Sequence, residues 1–217
     1  MIVREDSFRH KGLRQRLVQE LQKKGITHPR VLEAIGRVPR HLFIDPSFSG
    51  FAYQDKAFPI GAGQTISQPY TVALQSQLLE VQPGEKILEV GTGSGYQAAV
   101  LVAMGAKLFS IERQKELYDR TASLLPKLGF LLRQYWGDGY QGLPDVAPFD
   151  KIIVTAGAPY VPKELLTQLK VGGLMVIPVG ENRQVMTRIR RLSDIDFEKE
   201  AFGDCAFVPM LNGIEKK

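Results

Sequence analysis

Apolar residues recur at helical spacing at the start of the chain. Leu13, Leu17, Val18 and Leu21 fall on one face of a segment from Phe8 to Lys24, and Gly25 supplies a stop. A second short helix is predicted after Thr27, with Pro29 in its first turn and Val31, Leu32 and Ile35 facing inward. From Pro39 to Gln68 the period disappears among Pro, Gly and aromatic residues, which predicts a long ordered loop of the kind that often carries function. After Pro83-Gly84 short apolar runs alternate with helical patterns. Strands are predicted over 86–90, 107–111, 130–136, 150–155 and 173–179, and helices over 95–104, 114–128 and 162–170. Pro126 should kink the second of these helices or end it early. Gln184 to Leu192 and Asp196 to Pro209 alternate apolar and polar residues, as an antiparallel pair closing a sheet edge would. The pattern is that of an α/β protein with a mostly parallel twisted sheet, helices on both faces and an antiparallel C-terminal edge.

Composition agrees with one domain over 1–217, in which 1–80 supplies N-terminal helices and a loop and 81–217 supplies the sheet; 44% of residues are hydrophobic and 24% charged. The longest apolar stretch, Ala98 to Ala106, is far short of the roughly 20 residues needed to cross a bilayer. The charged start Met1 to Asp6 lacks a secretory apolar run, so a cytoplasmic protein is expected. Cys205 is the only cysteine, which rules out an internal disulfide and predicts a buried, inert thiol. The net charge of +5 permits an acidic partner. Its densest basic group, Arg183, Arg188, Arg190 and Arg191, is followed by Asp194, Asp196, Glu198 and Glu200 with no aromatic residue interleaved. A solvated hairpin is expected there, and no nucleic-acid footprint.

The candidate chemistry begins at Glu89-Val90-Gly91-Thr92-Gly93-Ser94-Gly95, where a strand ends in a glycine turn that opens a helix. A dinucleotide fingerprint spaces its glycines G-x-G-x-x-G so that a helix N-terminus meets a pyrophosphate. Here Tyr96 stands where the third such glycine would, and Glu89 would set a carboxylate beside a phosphate. S-adenosylmethionine carries an ammonium and a sulfonium and no phosphate, so the acidic residue suits it better. Glu112 ends the second predicted strand, where a carboxylate is placed to accept ribose hydroxyls; NAD enzymes use the same device. Asp138 and Gly139 follow the third strand, the carboxylate placed for the adenine amino group and the glycine N–H for a ring nitrogen. Each has an ordinary alternative: Thr92 or Ser94 capping a helix, Glu112 on the surface, Asp138-Gly139 as a plain turn.

Val38-Pro39-Arg40, GAGQTISQPYTVA at 61–73, LEVGTGSGYQAA at 88–99, FDKIIVTAGAP at 149–159, GGLMVIPVG at 172–180 and Phe207-Val208-Pro209 together resemble bacterial protein-L-isoaspartate O-methyltransferases over nearly the whole chain. The 64–69 run is far more specific than the glycine turn. One departure is Ala62, where many members of that family carry histidine. The resemblance implies a Rossmann-like methyltransferase sheet with one reversed strand, and methyl transfer from S-adenosylmethionine to the free α-carboxylate of L-isoaspartyl residues in damaged proteins and peptides. It further implies that Ser67 is the active-site serine, that Gln64, Thr65 and Val208 meet the substrate, and that Gln68 and Tyr70 lie against the cofactor together with Glu89, Gly91, Gly93, Glu112, Asp138 and Gly139. Read without it, Ser67 is better explained as the cap of the helix that contains Tyr70 to Glu80, with Pro69 in its first turn. A carboxylate nucleophile with a pKa near 4 needs no general base. His10, His28 and His41 are scattered without metal-ligand spacing, and no metal is expected. A monomer without membrane partners is expected. The competing readings are a methyltransferase acting on RNA or a small molecule, disfavoured by Thr155-Ala156-Gly157-Ala158-Pro159 where base methylases carry an Asn-Pro-Pro-Tyr-like run, and a nucleotide-binding oxidoreductase or non-catalytic binding module, which would not need the 64–69 loop.

Overall fold

The computed structural model describes residues 5–215, so the part of the N-terminal reading that falls on Met1 to Arg4 lies outside the described residues. The chain opens with helix α1 (Phe8–Lys23), whose first turn is closed by a capping box between Ser7 and His10. Gly25, at φ +93°, ends it as the sequence predicts. Helix α2 (Pro29–Arg37) comes next, with Pro29 at its start.

The segment predicted as a loop is more ordered than its composition suggests. It holds two 3₁₀ turns (Arg40–Leu42 and Pro46–Phe51) and a small hairpin of β1 (Phe58–Gly61) and β2 (Gln64–Ile66). Ala62 and Gly63 form the hairpin's tip, both at positive φ (48° and 65°), the geometry of the tight turns that suit a right-twisted ribbon. Helix α3 (Pro69–Leu79) leaves this hairpin directly, and its N-cap is Gln68, not Ser67.

The main sheet comprises β3 (Lys86–Val90), β4 (Lys107–Glu112), β5 (Arg133–Trp136), β6 (Phe149–Val154), β7 (Leu169–Val179), β8 (Gln184–Arg191) and β9 (Phe197–Cys205), in the spatial order β5-β4-β3-β6-β7-β8-β9. The first five are parallel to one another; β8 runs antiparallel to both β7 and β9, so it is the one reversed strand. Helices α4 (Tyr96–Ala103), α5 (Lys115–Lys127) and α6 (Lys163–Gln168) connect the strands. This is the mostly parallel, Rossmann-like sheet with one reversed strand that the resemblance implied. Chain order reverses between β3 and its neighbours β4 and β6, and a ligand crevice belongs at such a switch point.

Three boundaries differ from the sequence pattern for local reasons. Strand β5 starts at Arg133, not residue 130, because Phe130 N–H bonds back to Leu125 and Gly129 N–H to Pro126, closing α5 in a left-handed C-terminal turn. Pro126 does not much shorten that helix, which runs to Lys127, one residue beyond it. Strand β7 begins four residues early, at Leu169, where it already pairs with Phe149 across a bulge. The last strand ends at Cys205, and the chain beyond it turns away from the hairpin to bond Gly157.

Two cores cover the sheet. One joins α1 to α4 and includes Leu21, Ile35, Phe43, Leu79 and Val100; the other, on the opposite face, includes Phe149, Ile152, Leu165 and Ile177. The arginine-rich strand is neutralised as expected: Arg188 pairs with Glu80 and Glu200, Arg190 with Glu198, Arg191 with Asp194 and Arg183 with Asp204. Cys205 corrects the expectation of a buried thiol: it is only half-buried, although its partial burial raises the thiol to about 11, so it is protonated at neutral pH. Among the described residues no helix is long and apolar enough to cross a membrane.

Candidate active site

A cleft opens at the carboxyl ends of β3, β4 and β6, where a ligand of an open parallel sheet belongs. Its floor is the turn Gly91 to Ser94. Gly91 has φ +98°, and a Cβ there would lie 2.5 Å from Thr155 Oγ1, so the chain has room only for glycine. Thr155 Oγ1 donates to the carbonyl of Gly91 at 2.6 Å and ties the end of β6 to the turn. Glu112 ties it from the other side: Oε2 accepts from Gly93 N–H at 2.8 Å and Oε1 from Gln114 N–H at 2.9 Å. Each oxygen keeps a lone pair, and Glu112 lines the cleft. Gly95, at φ +82°, is the N-cap of α4, where the sequence offered Thr92 or Ser94; Ser94 Oγ accepts from Tyr96 N–H.

Glu89 sits behind this surface. It is fully buried and does not line the cleft; Ser110 Oγ lies 2.5 Å from its Oε2, and Thr92 Oγ1 lies 2.6 Å from Ser110 Oγ. Burial pushes its carboxyl up to about 8, the Ser110 hydrogen bond opposes that rise, and the charge of Glu112 adds to it. The folded-state value is above the unfolded one. Its contribution to stability is therefore fully present below about pH 4.5 and is lost as pH rises through about 8.

A second, wider cavity lies on the other side of Ser67. It is lined by the start of α3, by Met186 and by the chain from Asp204 to Val208. Thr65, Ser67, Thr155 and Val208 line both cavities and form the passage between them. The Phe207–Met210 segment is held in place by Gly157, whose N–H donates to the Val208 carbonyl and whose carbonyl accepts from Met210 N–H. Gln184 holds the same segment, accepting from Phe207 N–H at 2.7 Å and donating to its carbonyl at 3.1 Å.

Residues 12–215 match the family model described as protein-L-isoaspartate(D-aspartate) O-methyltransferase. The chain belongs to that family. It is 62% identical over 208 residues to the protein-L-isoaspartate O-methyltransferase of Flavobacterium psychrophilum, covering 95% of this chain and 98% of that one. The corresponding protein of Salinibacter ruber is 50% identical over 218 residues, with 95% of each chain covered. Among solved structures, a protein-L-isoaspartate O-methyltransferase superposes with a TM-score of 0.83 at 28% identity, covering 90% of this chain and 65% of that one. A Plasmodium falciparum structure, described as a protein-L-isoaspartate O-methyltransferase in complex with S-adenosyl-L-homocysteine, superposes with a TM-score of 0.81 at 26% identity, covering 91% and 98%.

This protein-L-isoaspartate O-methyltransferase family uses S-adenosylmethionine, and the cleft suits it on its own geometry. A backbone packed against Thr155 and a carboxylate at the end of β4 fit a nucleoside. A buried acidic residue behind the turn fits a cation and not a phosphate.

Of the residues that the sequence put at the site, Gln64, Thr65, Ser67, Gly91, Gly93, Glu112, Gly139 and Val208 line the cleft. Gln68 and Tyr70 do not: they line the second cavity, because α3 turns its first residues away from the glycine turn. Asp138 lines neither cavity; its Oδ1 accepts from Tyr140 N–H and its Oδ2 from Gly213 N–H, so it shapes the turn that presents Gly139. Sequence reasoning missed Arg113, Gln114 and Met210 to Leu211 in the cleft, and the roles of Asp55 and Gln184. It also treated the histidines as scattered, whereas His10 stacks on His41 with ring centroids 3.8 Å apart beside Asp6, with ligand-type atoms of all three within 4.8 Å. Arg14 engages both oxygens of that aspartate.

Proposed function

We propose that this chain methylates the free α-carboxylate of L-isoaspartyl residues in damaged proteins and peptides, with the cleft as the cofactor site and the wider cavity as the acceptor site. The observation that carries this reading is the shared boundary: Thr65, Ser67, Thr155 and Val208 face both spaces, so donor and acceptor meet beside Ser67.

When bound, S-adenosylmethionine supplies an electrophilic methyl group on a positively charged sulfur. Gly91, Gly93 and Gly139 bring backbone close to it, Glu112 accepts from its ribose, and Ile111 and Val90 give its ring an apolar wall. Glu89, neutral below about pH 8 in the unliganded fold, offers a carboxyl that ionises at little cost beside a cation. Asp138 acts through Gly139, orienting that N–H toward the adenine edge. On the acceptor side the Ser67 hydroxyl donates to one oxygen of the substrate carboxylate and leaves the other facing the methyl carbon. Gln64, Thr65 and the Val208 backbone flank the isoaspartyl residue, while Gln68 and Tyr70 face its neighbours in the peptide. The small residues Thr155 and Ala156 leave room for a substrate backbone.

In the transfer an O–CH₃ bond forms as the S–CH₃ bond breaks, the bonding pair stays on sulfur, and no proton moves. A carboxylate is already ionised at neutral pH, so the site needs placement and not a base; placement alone can supply roughly 7 to 11 kcal/mol of a barrier. The neighbouring backbone amide nitrogen then attacks the ester carbonyl, a C–N bond forming as the C–OCH₃ bond breaks and methanol leaves with the amide proton, and the resulting succinimide hydrolyses partly to normal aspartate, which makes the reaction a repair step. The proposal includes a cytoplasmic monomer that does not bind nucleic acid, supported by the ion-paired state of its arginine strand.

The test uses methyl-labelled cofactor and paired peptides that differ only in an L-aspartyl or L-isoaspartyl linkage. Base-labile label confined to the isoaspartyl peptide is the expected result; equal labelling of both, or none, overturns the reading.

A further inference from the structure

Among the described residues the Ser67 hydroxyl makes no hydrogen bond, so nothing on its own side chain fixes where it points. Its backbone is held through Gln68 and Tyr70, which are both fastened to Asp55. Asp55, in the turn between the second 3₁₀ segment and β1, has a side chain only 3% exposed and three donors on it. Its Oδ1 accepts from Tyr70 N–H at 2.7 Å, and its Oδ2 accepts from Gln68 Nε2 at 3.0 Å and Lys24 Nζ at 2.6 Å. Tyr70 N–H belongs to the first turn of α3, where donors have no partner within the helix. One carboxylate thereby anchors the chain one and three residues beyond Ser67. That carboxylate is itself fixed: Arg40, wholly buried with its guanidinium over the Tyr96 ring, donates to the carbonyls of Ala52 and Lys56 on either side of it.

We infer that Asp55 is the positioning residue of Ser67: it pins the Ser67–Tyr70 segment from the side away from both cavities, so that the serine hydroxyl meets the acceptor carboxylate in one orientation. This rests on the carboxyl-methylation reading above. Asp55 itself touches neither the cofactor cleft nor the acceptor cavity. A group that merely supported the fold would carry its effect to cofactor binding as well, since Tyr96 at the start of α4 rests on the same buried Arg40. A positioning group would spare the cofactor and act through the serine, with a smaller share through Gln68, whose side chain it also holds.

A double-mutant cycle separates the two. Asp55→Asn keeps an oxygen for Tyr70 N–H and loses acceptance from Gln68 and Lys24, so it should fold and lower turnover of an isoaspartyl peptide about tenfold, the factor that one charge-assisted hydrogen bond carries. Affinity for S-adenosylhomocysteine, read by calorimetry, should stay within about twofold of the parent. In the Ser67→Ala background the same substitution should cost less than about twofold, because the group it positions is gone. Hydrogen exchange gives a readout free of catalysis: the Tyr70 amide should lose protection in Asp55→Ala while the Val72 amide, bonded to the Gln68 carbonyl, keeps it. Turnover within twofold of the parent, an equal loss in the Ser67→Ala background, a parallel fall in cofactor affinity, or unchanged Tyr70 exchange each overturns the inference. If the parent enzyme labels no isoaspartyl peptide, the functional reading fails instead, and the exchange result still decides whether Asp55 holds the segment.

Discussion

The two sides of the site are built differently. The cofactor cleft rests on strand ends: Gly91, Glu112 and Thr155 each leave a strand of the parallel sheet, and their mutual bonds are to backbone groups one strand away. The acceptor cavity rests on irregular chain, and what strands do for the cleft is done there by single side chains, Asp55 for the α3 start and Gln184 for the 207–210 segment. The buried carboxyls express the same contrast. Asp55 receives three donors, whereas Glu89 receives one hydroxyl, keeps Oε1 without a partner among the described residues and is pushed up to about 8. One is a structural anchor; the other, in the function proposed above, is a group held in reserve for a cation. The difference teaches where this molecule is rigid by topology and where it is rigid only by side chain.

The largest expected effect breaks the strand-built side. Gly91→Ala adds a Cβ that would lie 2.5 Å from Thr155 Oγ1 on a residue at φ +98°. Left-handed backbone costs about 1–2 kcal/mol for an alanine and overpacking about 1–3 more, so cofactor affinity should fall on the order of a hundredfold or more. Adding Thr155→Ala should recover part of that loss and not all of it, because it removes the collision and leaves the strain. Titration with S-adenosylhomocysteine measures both; a Gly91→Ala protein that binds within threefold of the parent would show that the turn is far softer than its geometry says.

The same difference governs how much of each side is legible in the sequence. The cleft is legible because its residues recur at strand ends, and hydrophobic periodicity marks strand ends: Glu89, Glu112 and Gly139 each lie at the end of an apolar run or just after a strand. The acceptor side depends on pairs far apart in the chain, such as Asp55 with Tyr70 and Gln184 with Phe207, and no local pattern encodes them. Gln64 to Pro69 can be named only by family resemblance. The β1–β2 hairpin is invisible for a related reason: Pro59, Gly61 and Gly63 read as loop, and the positive φ of Ala62 is a conformation that an alanine does not advertise. The family pattern puts Gln68 and Tyr70 against the cofactor, yet a helix start sends neighbouring residues in different directions, and here they line the second cavity, the one proposed for the acceptor.

Next in size is the loss of the second side-chain clamp. Gln184 lines neither cavity, so Gln184→Ala tests support without touching a ligand. Losing two hydrogen bonds to Phe207 should lower kcat/KM for an isoaspartyl peptide about tenfold while leaving cofactor affinity within about twofold. Packing and hydrogen bonding can be told apart at the same place. A Cβ on Gly157 would overlap the Gln184 carboxamide at 2.1 Å, so Gly157→Ala in the Gln184→Ala background refills part of the space without restoring the bonds. Recovery of rate in that double variant would make Gln184 a filler; continued slowness makes it a clamp.

The smallest expected effect is electrostatic and belongs to the acceptor side alone. Among the described residues that line the acceptor cavity, Asp204 is the one charged side chain, and Arg183 pairs with it at 2.9 Å on the exposed rim. Such a pair adds little to folding, because water screens it and two mobile side chains must be ordered to make it. Its consequence should instead be read in the substrate. Arg183→Ala leaves an unbalanced negative charge at the mouth, so an isoaspartyl peptide with glutamate beside the damaged residue should show a KM raised about two- to threefold, and one with lysine there a KM lowered by a similar factor. Both changes should vanish near 1 M salt, where the screening length is about 3 Å. Cofactor affinity and kcat should not move. Equal effects on both peptides, or effects that survive high salt, would mean that Arg183 shapes the cavity by packing and not by charge, and the acceptor side would then be less polar in its selection than its lining implies.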